Sequence, residues 1–216
     1  MQLMIRFVTS LILVLLIYLS LNNSIMIFFL LMLITFLALS EFWQLFKKIF
    51  KSNHIYLFLT FFLSLIYLST FSLFIWNYLI PLNNINTISL IFILVICAST
   101  DIGGYIFGKL IGGKKITSIS PQKTYSGVIG SFIFALSLGY LFYNFFMSLM
   151  SIDINFIMIV IIVSLISQIG DLFISLLKRK AKVKDTGSIL PGHGGILDRI
   201  DGILIALPIG IKLISI

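Results

Sequence analysis

"INFIMIVIIVSLISQIGDLFISLLKRK", residues Ile154 to Lys180, decides how the whole chain is read. Its apolar part, 154 to 177, exceeds the ~20 residues that a helix needs to cross the hydrocarbon core, and it ends in three consecutive cations. One acid, Asp171, interrupts it. At 1.5 Å rise per residue that carboxylate lies about 10 Å into the helix from Lys178. A charge at such depth costs roughly 2.5 to 3.5 kcal/mol on insertion scales, so it faces a wet cavity or a partner and marks function. The competing reading is a structural ion pair with a neighbouring lysine.

The rest of the chain repeats this pattern. It has 216 residues, of which 60% are hydrophobic and 10% charged, against about 25% charged in soluble domains. Its mean hydropathy is +1.17. Apolar runs cover about 7 to 21, 25 to 46, 55 to 76, 87 to 108, 127 to 150, 154 to 177 and 202 to 216. The expected fold is an all-α, polytopic membrane protein of about seven transmembrane helices, with an intramembrane polar site opening to the cytoplasm. It reads as one integral domain over 1–216, with N-terminal helices in 1–86 and catalytic helices and motif loops in 87–216. The first run follows Arg6 but has no convincing small-residue cleavage site, so it reads as a retained helix rather than a signal peptide. Cys97 lies inside an apolar run and has no second cysteine to pair with; packing is its expected role.

The net charge of +8 does not point to nucleic acid, because the lysines and arginines cluster in short gaps between apolar runs. Arg6, then Lys47, Lys48 and Lys51, then Lys109, Lys114, Lys115 and Lys123, then Lys178 to Lys184 occupy every second gap. The positive-inside rule therefore puts the N-terminus in the cytoplasm and the C-terminus outside, as in a bacterial inner membrane. Trp43 and Trp76 fall near run ends, where lipid-interface anchoring is expected.

The acids carry the chemistry, because there are only seven: Glu41, Asp101, Asp153, Asp171, Asp185, Asp198 and Asp201. Five lie in or beside two cytoplasmic loops; Glu41 and Asp153 stand apart and receive no role. Asp101 sits at a depth similar to that of Asp171, judged from Lys109. If "GILDRIDGILIAL" opens the last helix, Asp198 and Asp201 share a face and Arg199 turns away. Carboxylates in this number suit Mg²⁺, which completes its shell with water and substrate phosphates. Taken alone, a D-x-x-D pair is an ordinary helix start favoured by the dipole. Before it, "LPGHGGILDR" places Gly194 and Gly195 where backbone N–H groups approach an anion at a helix N-terminus, a phosphate cradle. His193 in the same loop can contact phosphate or base, or simply be solvated.

These residues resemble a known signature. Ser175, Leu177, Lys178, Arg179, Lys184, Asp185, Gly187, Leu190, Pro191, His193, Gly194, Gly195, Ile196, Asp198, Arg199, Ile200 and Asp201 match in type and spacing that of the phosphatidate cytidylyltransferase (CDP-diacylglycerol synthase) family. An upstream block, Ser99 to Gly127, is similar through Asp101, Gly104, Gly108, Ser120, Pro121, Lys123, Thr124 and Gly127. Tyr125 and Ser126 depart from it, since Trp followed by Glu is usual there. The two blocks cover about a quarter of the chain, which is shorter than is usual for the family.

The resemblance implies a nucleotidyltransferase that makes CDP-diacylglycerol and pyrophosphate from CTP and phosphatidic acid in the bilayer, with Mg²⁺. It implies Asp171, Asp198 and Asp201 as metal ligands with Asp101 nearby. Lys178, Arg179, Lys184 and Arg199 would face phosphates, with Asp185 in the catalytic group. Ser175, His193, Gly194, Gly195 and Lys123 would bind substrate. A homodimer is compatible with this reading. A transporter could use Asp101 and Asp171 for ion coupling but would not need the Ser175 to Asp201 arrangement. The family that consumes CDP-diacylglycerol is disfavoured, because Asp201 and Gly202 lead into "ILIALP" rather than its further glycine and aspartates. A related enzyme acting on another lipid phosphate stays open.

Overall fold

A computed structural model describes residues 12, 15–21, 23–117, 120, 123–147, 155–189 and 194–215. Its regular elements are helices: α1 (Ser24–Ile49), α2 (His54–Leu79), α3 (Asn84–Leu110), α4 (Tyr125–Phe142) continued by a π-turn (Tyr143–Met147), α5 (Phe156–Lys180) and α6 (Leu197–Ile214). There is no strand among the described residues; Lys115 and Thr124 form an isolated antiparallel bridge. The first apolar run lies largely outside the described residues, although 15–20 are helical. Five helices, α1 to α5, are long and apolar enough to span a membrane. The protein is a multi-pass membrane protein, because only helices or closed barrels satisfy their backbone polar groups in lipid.

Local chemistry sets the helix starts. Asn23 accepts the Ile25 N–H at 2.9 Å, Asn53 accepts that of Tyr56 at 3.3 Å, and the Thr124 hydroxyl accepts that of Gly127 at 3.1 Å. Each satisfies an N–H that the first helical turn leaves unpaired.

The described residues group into two compact units, and α5 and α6 each contribute to both. One comprises residues 1–83 with 177–200; the other comprises 84–176 with 201–216. In the first, α1 packs on α2. Thr35 and Ser72 share a hydrogen bond of 2.6 Å across that interface, and Trp43 meets Phe61 edge-on at 5.0 Å. Trp76 packs on Phe28 at 5.2 Å, with its indole N–H buried and unpartnered. Each tryptophan ring thus has an aromatic neighbour on the adjoining helix and contributes to helix packing.

The second unit is built on the closest helix pair, α3 against α4. A Cβ on Gly104 would lie 2.8 Å from the Ser131 hydroxyl, and one on Gly127 would lie 2.9 Å from the Gly104 carbonyl. One on Gly130 would enter the Phe107 ring. Without a hydrophobic drive between helices in lipid, such small residues give the van der Waals contact that holds them. Between α3 and α4 the chain turns through Gly112 (φ 65°) and Gly113 (φ 108°). The Ile116 N–H then donates to the Lys123 carbonyl at 3.0 Å, and the Ser126 hydroxyl donates to the Gly112 carbonyl. This short hairpin presents Lys123.

Single cysteines at Ser52, before α2, and Asn84, at the start of α3, are expected to label from opposite sides of the membrane, since one apolar helix separates them. Labelling of both by the same impermeant reagent from one side contradicts this topology.

Candidate active site

The second unit holds a pair of aspartates. α5 and α6 cross where Gly170 meets the Asp201 backbone: a Cβ on Gly170 would lie 2.6 Å from the Asp201 carbonyl oxygen. One on Gly202 would clash with the Ser167 hydroxyl. The glycines adjoining the two acids in sequence therefore let the helix backbones touch. Asp171 and Asp201 come within hydrogen-bonding reach of each other, and Asp201 also feels the charge of Asp101. Asp101 is exposed, while Asp171 and Asp201 are half-buried. Lys123 reaches Asp171 at 2.5 Å, Ser175 Oγ lies 3.4 Å from the other oxygen of Asp171, and the Gly202 N–H donates to Asp201 at 2.8 Å. The lysine ion pair that the sequence left open for Asp171 is present.

This donor set fits a magnesium ion. Two like-charged carboxylates within hydrogen-bonding reach need a proton or a cation between them, and all their donors are hard oxygens. Among the described residues no three His, Cys, Asp or Glu side chains form a ready metal cage, so the fit is to an ion that takes two carboxylates and completes its shell elsewhere.

α3 and α5 also carry buried polar side chains. Thr100 donates to the Ser164 hydroxyl at 2.9 Å, while the Ser89 hydroxyl and the Gln168 amide nitrogen are buried without partners among the described residues. These polar atoms lie on α3 and α5, the helices that carry Asp101 and Asp171.

In the first unit, several groups of the signature loop bond to one another. Asp198 accepts from Lys178 Nζ at 2.7 Å, and its other oxygen accepts the N–H groups of Thr186 at 2.8 Å and Gly195 at 3.1 Å. Asp198 stands in the first turn of α6, ahead of the apolar stretch. Burial alone would raise its carboxyl, but Lys178 and the two N–H groups outweigh that and hold it below the usual carboxylate range. Both Asp198 oxygens, read from sequence as metal donors, are thus engaged by protein groups, and so is Lys178, read as a phosphate contact.

The helix N-terminus is also occupied. Ile196 and Leu197 donate their N–H groups to Glu41 at 2.8 and 3.0 Å, and the Thr186 hydroxyl donates to Glu41 at 2.7 Å. Of the two glycines that the sequence assigned to a phosphate cradle, Gly195 has its N–H engaged by Asp198, and the next two N–H groups are engaged by Glu41. Gly194 takes φ 82°, and a Cβ there would lie 3.1 Å from Asp198. His193 lies outside the described residues. Arg179, Lys184, Asp185 and Arg199 are exposed.

Sequence reasoning missed Glu41. The signal was there: it is the single charge inside the second apolar run, and such a residue has a partner by default. No spacing rule could name that partner, because it lies 145 to 156 residues away.

Fold and site together define a polytopic α-helical membrane protein with an acidic pair on α5 and α6 and a loop rich in charged and glycine residues. The chain belongs to the cytidylyltransferase family, whose pattern it matches over residues 5–216. It is similar to phosphatidate cytidylyltransferase of Bacillus subtilis (strain 168), 41% identical over 137 residues, covering 62% of this chain and 51% of the relative. The enzymes of the same name from Haemophilus influenzae and Helicobacter pylori (strain 26695) are 38% and 40% identical, covering 55% and 54% of this chain and 43% of each relative. The matched part thus spans about half the length of these curated relatives or less.

Replacing Gly170 with Ala is expected to force α5 and α6 apart and to destabilise the protein by roughly 1 to 3 kcal/mol, the usual cost of overpacking. Unfolding in detergent measures it, and wild-type stability in the variant contradicts the crossing.

Proposed function

We propose that this protein is a phosphatidate cytidylyltransferase: it transfers CMP from CTP to phosphatidic acid, giving CDP-diacylglycerol and pyrophosphate, from the cytoplasmic side of a bacterial inner membrane. The observation that carries the reading is the Asp171–Asp201 pair, set by a glycine-mediated helix crossing in a chain of the cytidylyltransferase family. The relatives it resembles are named for this activity.

The phosphate of phosphatidic acid attacks the α-phosphorus of CTP, and pyrophosphate leaves. A phosphate dianion is already a competent nucleophile, so the protein's work is positioning and charge neutralisation, with no obligatory general base. Asp171 and Asp201 are the residues that would hold Mg²⁺, with Asp101 adding negative potential. When bound, the ion supplies charge neutralisation on phosphate oxygens. Lys123, already paired with Asp171, fixes that carboxylate and carries positive charge into the same place. Arg179, Lys184 and Arg199 take phosphate oxygens, Arg199 through the planar fork that suits them. Asp198 and Lys178 shape the loop rather than touch metal, because beyond the ion pair, which Asp171 also has with Lys123, the second Asp198 oxygen takes the Thr186 and Gly195 N–H groups. The lipid enters from the bilayer, where its tails remain.

Purified protein given labelled CTP, Mg²⁺ and a panel of lipid phosphates is expected to label phosphatidic acid above isoprenoid phosphates; preference for another lipid phosphate contradicts the substrate assignment. Asp201→Asn is expected to lower the rate by about 100-fold or more and to raise the Mg²⁺ concentration needed for half-maximal rate. Asp198→Asn is expected to leave that Mg²⁺ dependence unchanged. Equal shifts in both variants would return Asp198 to the metal.

A further inference from the structure

Glu41 lies on α1, outside both signature blocks, and is fully buried at 0% exposure. Its carboxylate accepts three hydrogen bonds: from Ile196 N–H at 2.8 Å on Oε1, and from Leu197 N–H at 3.0 Å and the Thr186 hydroxyl at 2.7 Å on Oε2. Donors on both oxygens suit the carboxylate form, which accepts only. A buried charge without compensation costs several kcal/mol, and here the compensation is a hydroxyl together with the positive end of α6.

The surroundings are shaped to this group. A Cβ on Gly187 would lie 2.8 Å from Glu41 Oε1, and one on Gly195 would collide with both Glu41 and the Thr186 hydroxyl. The Thr186 hydroxyl also lies 3.0 Å from Asp198, so its one proton faces two carboxylates. Glu41 therefore meets the loop at its beginning, through Thr186 and Gly187, and at its end, through Gly195 to Leu197.

Resting on the proposed cytidylyl transfer, we infer that Glu41 is a positioning residue for that reaction. Its charge clamps residues 186–187 to residues 195–197 and so fixes Lys184, Asp185 and Arg199, which flank the clamped residues. Glu41 touches neither substrate nor metal; it acts through the loop. A neutral amide of the same shape cannot replace it, because Gln would turn an NH₂ toward one of the three donors.

The test compares Glu41→Gln, Thr186→Val and Thr186→Ser with the wild type, measuring kcat, KM for CTP and tryptic cleavage at Lys182 and Lys184 relative to Lys114 in the other unit. Losing a charge-assisted hydrogen bond predicts a fall in kcat of roughly 10- to 100-fold with KM for CTP nearly unchanged. Cleavage at Lys182 and Lys184 is expected to rise by a similar factor in Glu41→Gln and Thr186→Val, and Thr186→Ser is expected to restore both readouts. If Glu41→Gln does not insert, the two Thr186 variants decide alone. Faster cleavage with wild-type kcat overturns the positioning role, as does wild-type behaviour in both readouts. A wild type that transfers no CMP defeats the functional reading instead, and the cleavage ratios then still decide whether Glu41 orders the loop.

Discussion

A single buried carboxylate holds the most polar part of this chain together. Glu41 sits in an apolar helix and draws to itself a hydroxyl and the first N–H groups of α6. The arrangement is reciprocal: the charge is tolerable because a helix N-terminus and Thr186 solvate it, and the loop has a defined course because the charge is there. Asp198 repeats the device on a local scale, accepting from Gly195 three residues before it in the manner of a capping box. Two signature glycines, Gly187 and Gly195, leave room for the Glu41 side chain.

The acidic pair of the other unit follows a different logic. There the glycines serve helix crossing, and the acids are brought together rather than separated. Two carboxylates in reach of each other are unfavourable unless a cation or proton intervenes, and Lys123 meets only part of that demand. Negative charge gathered in this way suits a cation supplied from outside, as the proposed metal-dependent transfer would use, while Asp198 has Lys178 and two backbone N–H groups within the chain.

The helices were legible because length and apolarity dominate in a bilayer: the run at 154–177 became α5 at Phe156–Lys180, and the "LDRID" start of the last helix fell at Leu197. Asp171 was legible as an acid at unusual depth, and Asp201 through its D-x-x-D spacing with Asp198. The division of labour among the acids was not. D-x-x-D spacing suggests one shared ion, yet Asp198 is engaged by a lysine 20 residues upstream and by a backbone group 12 residues upstream, which spacing alone does not rank above a metal. Glu41 was visible as an isolated charge, but its partners lie at the far end of the sequence. The aromatic partners of Trp43 and Trp76 were not legible, because they lie on a neighbouring helix that position near a run end does not name.

The central claim is that the start of α6 is closed by the protein's own carboxylates before any nucleotide arrives. Amide hydrogen exchange at Ile196 and Leu197 in the nucleotide-free protein tests it most directly. Slow exchange at both amides, little changed by CTP, is the predicted result. Rapid exchange that becomes slow only when CTP is added would contradict the account and give these N–H groups back to phosphate.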